Sequence, residues 1–137
     1  MADKFHQASS IKMVYNLMLK GVRKEIPAFE ADELVGDGDL LPVAGGLRVL
    51  HNPGHTEGHI ALISTNGEIL FASDSCSNVV GLTSFPYYEN LEQAHIDLEQ
   101  LCQHQFEVAF FGHGSPVMEK AAQKFRAKFA GSEMSLA

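Results

Sequence analysis

The sequence predicts an α+β fold with a mostly antiparallel sheet. Two glycine-containing turns, Ala44-Gly45-Gly46 and Asn66-Gly67, each separate a pair of short apolar segments, which is typical of β-hairpins. Three longer segments repeat their apolar residues at the spacing of helices. At 137 residues the chain has the size of a single domain, residues 1–137, and we expect residues 131–137 to form a frayed tail.

Charge and composition disfavour several classes of partner. The net charge of −7 argues against nonspecific binding of nucleic acid or of an anionic membrane. No signal-peptide pattern opens the chain and no apolar run is long enough to span a bilayer, so we expect a cytoplasmic protein. Cys76 and Cys102 form no CxxC pair and are expected to be free thiols, although Cys76 lies close enough to Asp74 in sequence to be considered as a soft metal ligand.

The N-terminal region predicts a basic helix. Apolar residues recur at helical spacing between positions 11 and 22, and the helix should end before Pro27. A solvated basic face is the main interpretation, and contact with a partner is the alternative; the basic residues are Lys4, Lys12, Lys20, Arg23 and Lys24.

Two hairpins follow. Residues 39–43 and 47–50 flank the first turn, and residues 59–65 and 68–73 flank the second. Asn-Gly is a strong signal for a type I′ turn, because both central residues of that turn have positive φ. The second hairpin should bring the segment before residue 59 close to Asp74.

The segment after the second hairpin predicts a long loop, residues 75–89, of a kind that often forms the lid or wall of a site. Within it, Tyr87 and Tyr88 are expected to pack rather than to bind a ligand. Asn90 begins the next helix, with Gln93 placed to complete a capping box. The buried stripe of this helix comprises Leu91, Ala94, Leu98, Leu101 and Cys102.

The C-terminal part predicts one more strand and one more helix. Residues 106–111 are apolar and lead into Gly112-His113-Gly114. Ser115 and Pro116 are expected to be the N-cap and first residue of the last helix. Its inner face should comprise Met118, Ala121, Ala122, Phe125 and Phe129.

The seven histidines differ in their local sequence. His51, His55 and His59 are four residues apart, but the intervening proline and glycines exclude a helical zinc face. Only His55 and His113 follow strand ends and have flanking glycines, which allow close approach of the backbone to a bound group. With Asp74 they form a candidate metal or catalytic site, and a buried polar network is the alternative. Surface or structural roles are expected for His6, His51, His95 and His104.

Three motifs carry a resemblance to a known family. They are Pro53-Gly54-His55-Thr56-x-Gly58-His59, Leu70-Phe71-Ala72-Ser73-Asp74 and Gly112-His113-Gly114-x-Pro116, and they resemble the last three metal motifs of the metallo-β-lactamase superfamily. The resemblance implies that His55 binds one divalent metal, that His113 binds a second, and that Asp74 bridges both as the catalytic carboxylate. It implies zinc, manganese or iron as the metal. Thr56, His59 and Ser73 would support the ligands, and Ser73 stands where the family usually has glycine.

The first motif of that family, H-x-H-x-D-H, is absent from this sequence. The resemblance therefore covers only the C-terminal half of the family's αββα sandwich, a sheet with helices on one face. Each metal would have two protein ligands, whereas a catalytic zinc usually has three. A single ion held by two histidines and one carboxylate is the alternative arrangement.

Three functions remain open. The first is a metal-dependent hydrolase of a small ester, thioester, lactone or phosphoester, with ligands from a second chain. The others are a non-catalytic remnant that acts as a dimeric binding protein, and a single-metal-binding protein. We expect either a homodimer through the exposed sheet face or pairing with a separate N-terminal-half chain, because large apolar patches are rare on monomers. The residues expected on that face are Ile60, Leu62, Ile69, Phe71, Val108 and Phe110.

Overall fold

The computed structural model describes residues 30–131. The predicted basic helix at positions 11–22, His6 and residues 132–137 of the predicted tail lie outside this range, so the single-domain organisation of residues 1–137 stays a prediction. The chain divides into two compact units, residues 1–34 and 35–137. Within the first unit, residues 30–34 are irregular and exposed. All elements given below belong to the second unit.

A five-stranded sheet forms the centre of the second unit. Its strands are β1 (Leu40–Leu41), β2 (Leu47–His51), β3 (Ile60–Ser64), β4 (Ile69–Ser73) and β7 (Val108–Phe111), and a separate two-stranded ribbon contains β5 (Cys76–Ser77) and β6 (Thr83–Ser84). The strand order in the sheet is β1-β2-β3-β4-β7, and every neighbouring pair is antiparallel except β4 and β7, which run parallel. The α+β fold with a mostly antiparallel sheet is thus confirmed.

Two helices pack on one face of the sheet, α1 (Leu91–Cys102) and α2 (Ala121–Phe129). Alternate strand residues point towards them because side chains along a strand alternate between faces. Burial of this apolar surface stabilises the fold. The shared core comprises Ala61, Ile63, Leu70, Ala72 and Ala109 from the sheet, with Leu98, Leu101, Ala121, Ala122, Phe125 and Phe129 from the helices.

The opposite face of the sheet is apolar and partly exposed. The strand register pairs Leu62 with Phe71 and Phe71 with Phe110, so these side chains share this face. The Phe71 and Phe110 rings stack with their centroids 5.4 Å apart, and each residue is 36% exposed. All six residues that the sequence analysis assigned to an apolar sheet face lie on this side: Ile60, Leu62, Ile69, Phe71, Val108 and Phe110.

The two predicted hairpins are present, but the second turn differs from the prediction. Gly67 has φ of 72°, whereas Asn66 is not among the residues with positive φ, so the turn is not type I′. The hydroxyl of Ser64 accepts hydrogen bonds from the backbone N–H groups of Glu68 and Ile69, at 3.1 and 2.8 Å. These hydrogen bonds replace backbone pairing between β3 and β4 next to the turn, so both strands are shorter than predicted.

The last helix begins later than the sequence predicted. Its first residue is Ala121, not Pro116, because the backbone of Val117 pairs with Ala109 of β7 through two hydrogen bonds of 2.9 Å. The segment after His113 thus covers part of the outer edge of the sheet before the helix starts. Met118 is consequently 62% exposed instead of buried, while the other predicted inner-face residues of the helix are buried.

The loop at residues 75–89 is more ordered than expected. It contains β5 and β6, and the hydroxyl of Tyr88 donates to the Ser75 carbonyl at 2.7 Å and accepts from the Phe85 N–H. Tyr88 is 9% exposed, which confirms that it packs. Within residues 30–131, neither helix has the length and apolar character needed to cross a membrane.

Candidate metal centre

The structure brings His55, Asp74 and His113 together. Nε2 of His55 lies 3.8 Å from one carboxylate oxygen of Asp74, and Nε2 of His113 lies 3.7 Å from the other. Both distances exceed hydrogen-bond length, so neither nitrogen is committed to the carboxylate. The three residues come from the loop after β2, the end of β4 and the end of β7, which are adjacent at one end of the sheet.

The loop that carries His55 is held against the first turns of α1. Gly54 is buried, and a Cβ at this position would lie 2.3 Å from the backbone N and Cα of Ala94. The Gly54 carbonyl accepts from the Asn90 N–H at 3.0 Å, and the Gly54 N–H donates to Oδ2 of Asp97 at 2.7 Å. Only glycine allows the loop to approach the helix this closely.

The imidazole of His55 has a defined orientation. Its Nδ1 lies 2.8 Å from the Tyr87 carbonyl, which only accepts, so Nδ1 carries the proton and donates. Nε2 is then the lone-pair nitrogen that faces Asp74. The Phe85 ring packs edge-on against His55, with centroids 4.8 Å apart, and also lies 5.4 Å from the ring of His113.

Asp74 is placed by a distortion at the end of β4. The register between β4 and β7 shifts between Phe71 and Ser73, and Ser73 has φ of 50°. Left-handed backbone is costly for an L-residue, so Ser73 has a conformation that favours glycine. Oδ1 of Asp74 is buried and has no hydrogen-bond partner among residues 30–131. A Cβ on Gly112 would lie 2.2 Å from this oxygen, so glycine there leaves room for the carboxylate.

His59 uses both ring nitrogens within the protein. The Asp74 N–H donates to Nε2 at 3.1 Å, and Nδ1 donates to the Asn52 carbonyl at 3.2 Å. Burial, with a smaller contribution from His55, lowers the pKa of His59, which favours the neutral ring that this pattern requires. His59 therefore connects the His55 loop to the Asp74 turn and offers no nitrogen to a metal.

The other candidate residues lie further from the metal-facing atoms. Thr56 is exposed and contributes its carbonyl, which accepts from the His59 N–H at 3.0 Å. Cys76 is fully buried in the apolar core, where burial raises the pKa of its thiol far above the ordinary range, and its role as a soft ligand stays a prediction. Both cysteines are free and buried. His51 and His95 bind the Glu57 carbonyl and Glu99, away from the site.

The spacing of these donors is close to that of two ligands on one cation. Two donors on one tetrahedral zinc, each about 2.1 Å from it, are separated by about 3.4 Å, close to the observed 3.7 and 3.8 Å. The two histidines, however, face different oxygens of Asp74. Among residues 30–131 no group of three or more His, Cys, Asp or Glu side chains is arranged to hold one ion. The buried, unpartnered Oδ1 also fits a shared cation ligand.

Comparison with known proteins identifies a related sequence and related folds. A hydroxyacylglutathione hydrolase from Nitrobacter hamburgensis is 30% identical over 115 residues, which cover 77% of this chain and 45% of that protein. A metallo-β-lactamase family protein from Thermus thermophilus is 25% identical, with a TM-score of 0.60 over 87% of this chain and 44% of that one. The chain belongs to the metallo-β-lactamase superfamily. No family model matches the sequence.

A further solved structure supports the same fold. An archaeal metallo-β-lactamase superfamily protein from Sulfolobus tokodaii has a TM-score of 0.64, with 18% identity over 93% of this chain and 52% of that one. The chain thus spans about half the length of the superfamily members that it matches. The H-x-H-x-D-H motif does not occur in the sequence of this chain.

Three groups at the site were not predicted from the sequence. The Tyr87 carbonyl and the Phe85 ring contact His55, but a backbone acceptor and a loop phenylalanine leave no distinctive pattern in the sequence. Asp97 did leave a signal, because a carboxylate on the apolar stripe of α1, between Ala94 and Leu98, breaks the expected pattern. It is 2% exposed.

Proposed function

We propose that this chain contributes part of the metal site of a metal-dependent hydrolase. The observation that carries the proposal is the Asp74 carboxylate, which lies between the Nε2 atoms of His55 and His113 and has one buried oxygen without a hydrogen-bond partner in the described part of the chain. His55 and Asp74 would hold one divalent cation, and Asp74 and His113 the other. A bound zinc, manganese or iron lowers the pKa of a water towards neutral and polarises a carbonyl or phosphoryl oxygen.

The protein's own groups prepare this site. The Tyr87 carbonyl keeps the proton of His55 on Nδ1, which leaves Nε2 free for a cation. His59 fixes the backbone at Asp74. The Phe85 ring packs beside both histidines from the side of the 75–89 loop, and the His113 side chain stays 60% exposed.

The proposed substrate class is taken from the similar Nitrobacter hamburgensis protein and not from the loops of this chain. A hydroxyacylglutathione is the first substrate to test, because the 30% identical relative is named for its hydrolysis. A lactone and a phosphoester are useful comparisons, since other substrates would point to a different member of the superfamily.

Two protein ligands for each cation are too few for a complete site, so the proposal includes a second chain. We propose a homodimer in which the exposed sheet face of one copy covers that of another. The support is the stacked Phe71–Phe110 pair and a shallow groove that runs from this face to the site through Ser73 and Gly112. A covering chain at this groove would lie next to Asp74, since Gly112 contacts its carboxylate.

Metal content tests the first part of the proposal. We expect one or two ions per chain after purification and dialysis against metal-free buffer, measured by mass spectrometry of the metals. His55→Ala and His113→Ala should lose them, whereas His95→Ala, on the outside of α1, should keep them. No ion in the wild-type protein after the same dialysis contradicts the proposal.

Sedimentation velocity tests the second part. Phe71→Gln and Phe110→Gln place a polar side chain at the centre of the sheet face and should dissociate the dimer. Val80→Gln changes a residue that is 90% exposed in the 75–89 loop and should have no effect. A monomeric wild-type protein at micromolar concentration contradicts the homodimer, and co-purification of a chain with H-x-H-x-D-H identifies the other partner.

The second candidate function is a non-catalytic remnant of the fold that acts as a dimeric binding protein. The observation in its favour is that no three donors among residues 30–131 converge on one point. It predicts a stable dimer that binds no ion and whose melting temperature is unchanged by His55→Ala.

A further inference from the structure

Asp97 is a buried carboxylate in an otherwise apolar stripe of α1. It is 2% exposed and lies next to Leu98, which is also 2% exposed. Removal of a carboxylate from water is costly unless hydrogen bonds compensate for the lost hydration. A neutral side chain would fill this helix position at lower cost, so its burial indicates that the carboxylate has a specific partner.

That partner is the loop of the candidate metal centre. Oδ2 of Asp97 accepts from the Gly54 N–H at 2.7 Å, and Oδ1 accepts from the Gln93 side chain at 2.9 Å. The first is a charge-assisted hydrogen bond, which is shorter and stronger than a neutral one. Gln93 in turn holds the carboxylate in this rotamer instead of closing the capping box at Asn90.

Residues 89–97 bind three backbone groups of Gly54 and His55 in this loop. Besides the Asp97 contact, the Gly54 carbonyl accepts from the Asn90 N–H, and the His55 carbonyl accepts from the Glu89 N–H at 3.1 Å. Of these three contacts, only that of Asp97 is made by a side chain, so it is the one that substitution can remove. It acts on the residue immediately before His55.

We propose that Asp97 is a positioning residue for His55. From α1 it fixes the Gly54 peptide and so sets the direction in which Nε2 of His55 faces Asp74. This inference rests on the proposed function only for the role of His55 as a ligand, since the arrangement of the loop is independent of any metal.

Hydrogen exchange by NMR tests the positioning without metal. In Asp97→Ala we expect the Gly54 amide to lose its protection and the His55 Nδ1–H resonance to exchange with water. Asp97→Asn keeps an oxygen acceptor and should retain both signals. Leu98→Ala weakens the same helix without touching the loop and should also retain both. If Asp97→Ala does not fold, Asp97→Ser, which is too short to reach Gly54, replaces it.

Zinc titration by calorimetry tests the consequence. Loss of such a supporting contact weakens metal binding about 10- to 100-fold, so Asp97→Ala should bind zinc at least about 10-fold more weakly than Leu98→Ala. Equal affinity in the two variants, or retained Gly54 protection in Asp97→Ala, overturns the inference. A wild-type protein that binds no zinc but shows the expected exchange pattern supports the positioning role and contradicts only the proposed function.

Discussion

Replacement of Gly54 by alanine should destabilise the protein strongly. The added Cβ would lie 2.3 Å from the backbone N and Cα of Ala94, whereas nonbonded carbon atoms normally lie about 3.5–4.0 Å apart. The loop and α1 must therefore separate by about 1.2 Å. Backbone atoms cannot rotate away as a side chain can, so the cost should reach the upper end of the ordinary overpacking range, about 3 kcal/mol.

The same separation also stretches the hydrogen bonds between Gly54 and residues 90 and 97. Each contributes about 1 kcal/mol, so the free energy of unfolding should fall by about 3–5 kcal/mol in total. Gly58 is the matched control in the same motif, because it is exposed and a Cβ there meets no atom within 4 Å. Gly58→Ala should change stability by less than about 1 kcal/mol. Urea denaturation followed by circular dichroism measures both variants, and similar midpoints for the two would refute the close packing of the loop on α1.

Three further substitutions have defined outcomes. Ser73→Gly should raise the free energy of unfolding by about 1 kcal/mol, because φ of 50° is strained for serine; an unchanged urea midpoint argues against that strain. Tyr88→Phe should lower it by about 2 kcal/mol at pH 7, since the Phe85 N–H and the Ser75 carbonyl lose their partner. Burial raises the pKa of the Tyr88 phenol, so above pH about 10 the unfolded chain loses this proton before the folded one does. Wild-type stability should then fall with pH more steeply than that of Tyr88→Phe, and parallel pH profiles from thermal melts contradict this. Asn90→Ala should cost about 1 kcal/mol, because its side chain accepts from the Gln93 N–H at the start of α1; Glu92→Ala on the exposed side of the same turn is its control.

The sequence was informative where local chemistry and tertiary structure agree. Turn residues or period-two alternation in the sequence predicted both hairpins, the cap at Asn90 and the apolar sheet face, and the structure contains them. The proximity of His55, Asp74 and His113 also followed from strand ends that meet at one end of the sheet. Their roles as ligands remain a prediction.

The errors arose where tertiary contacts override a local signal. Ser115-Pro116 is a good helix start by itself, but the backbone of Val117 pairs with β7 and delays α2 to Ala121. Gln93 suits a capping box, yet its amide binds Asp97 instead. Asp97 itself depends on a partner 43 residues away in the chain, and no periodicity within one helix reveals such a contact.

The edge strands of the sheet bear on whether this protein forms fibrils or amorphous precipitates at high concentration. Val117 occupies part of the outer side of β7, and β1 at the other margin has only two residues. Open edge strands promote fibril formation because they can pair with strands of other chains, and both edge strands of this sheet offer little unpaired backbone. Precipitates should accordingly be amorphous, dissolve with mild detergent and fail to bind amyloid dyes.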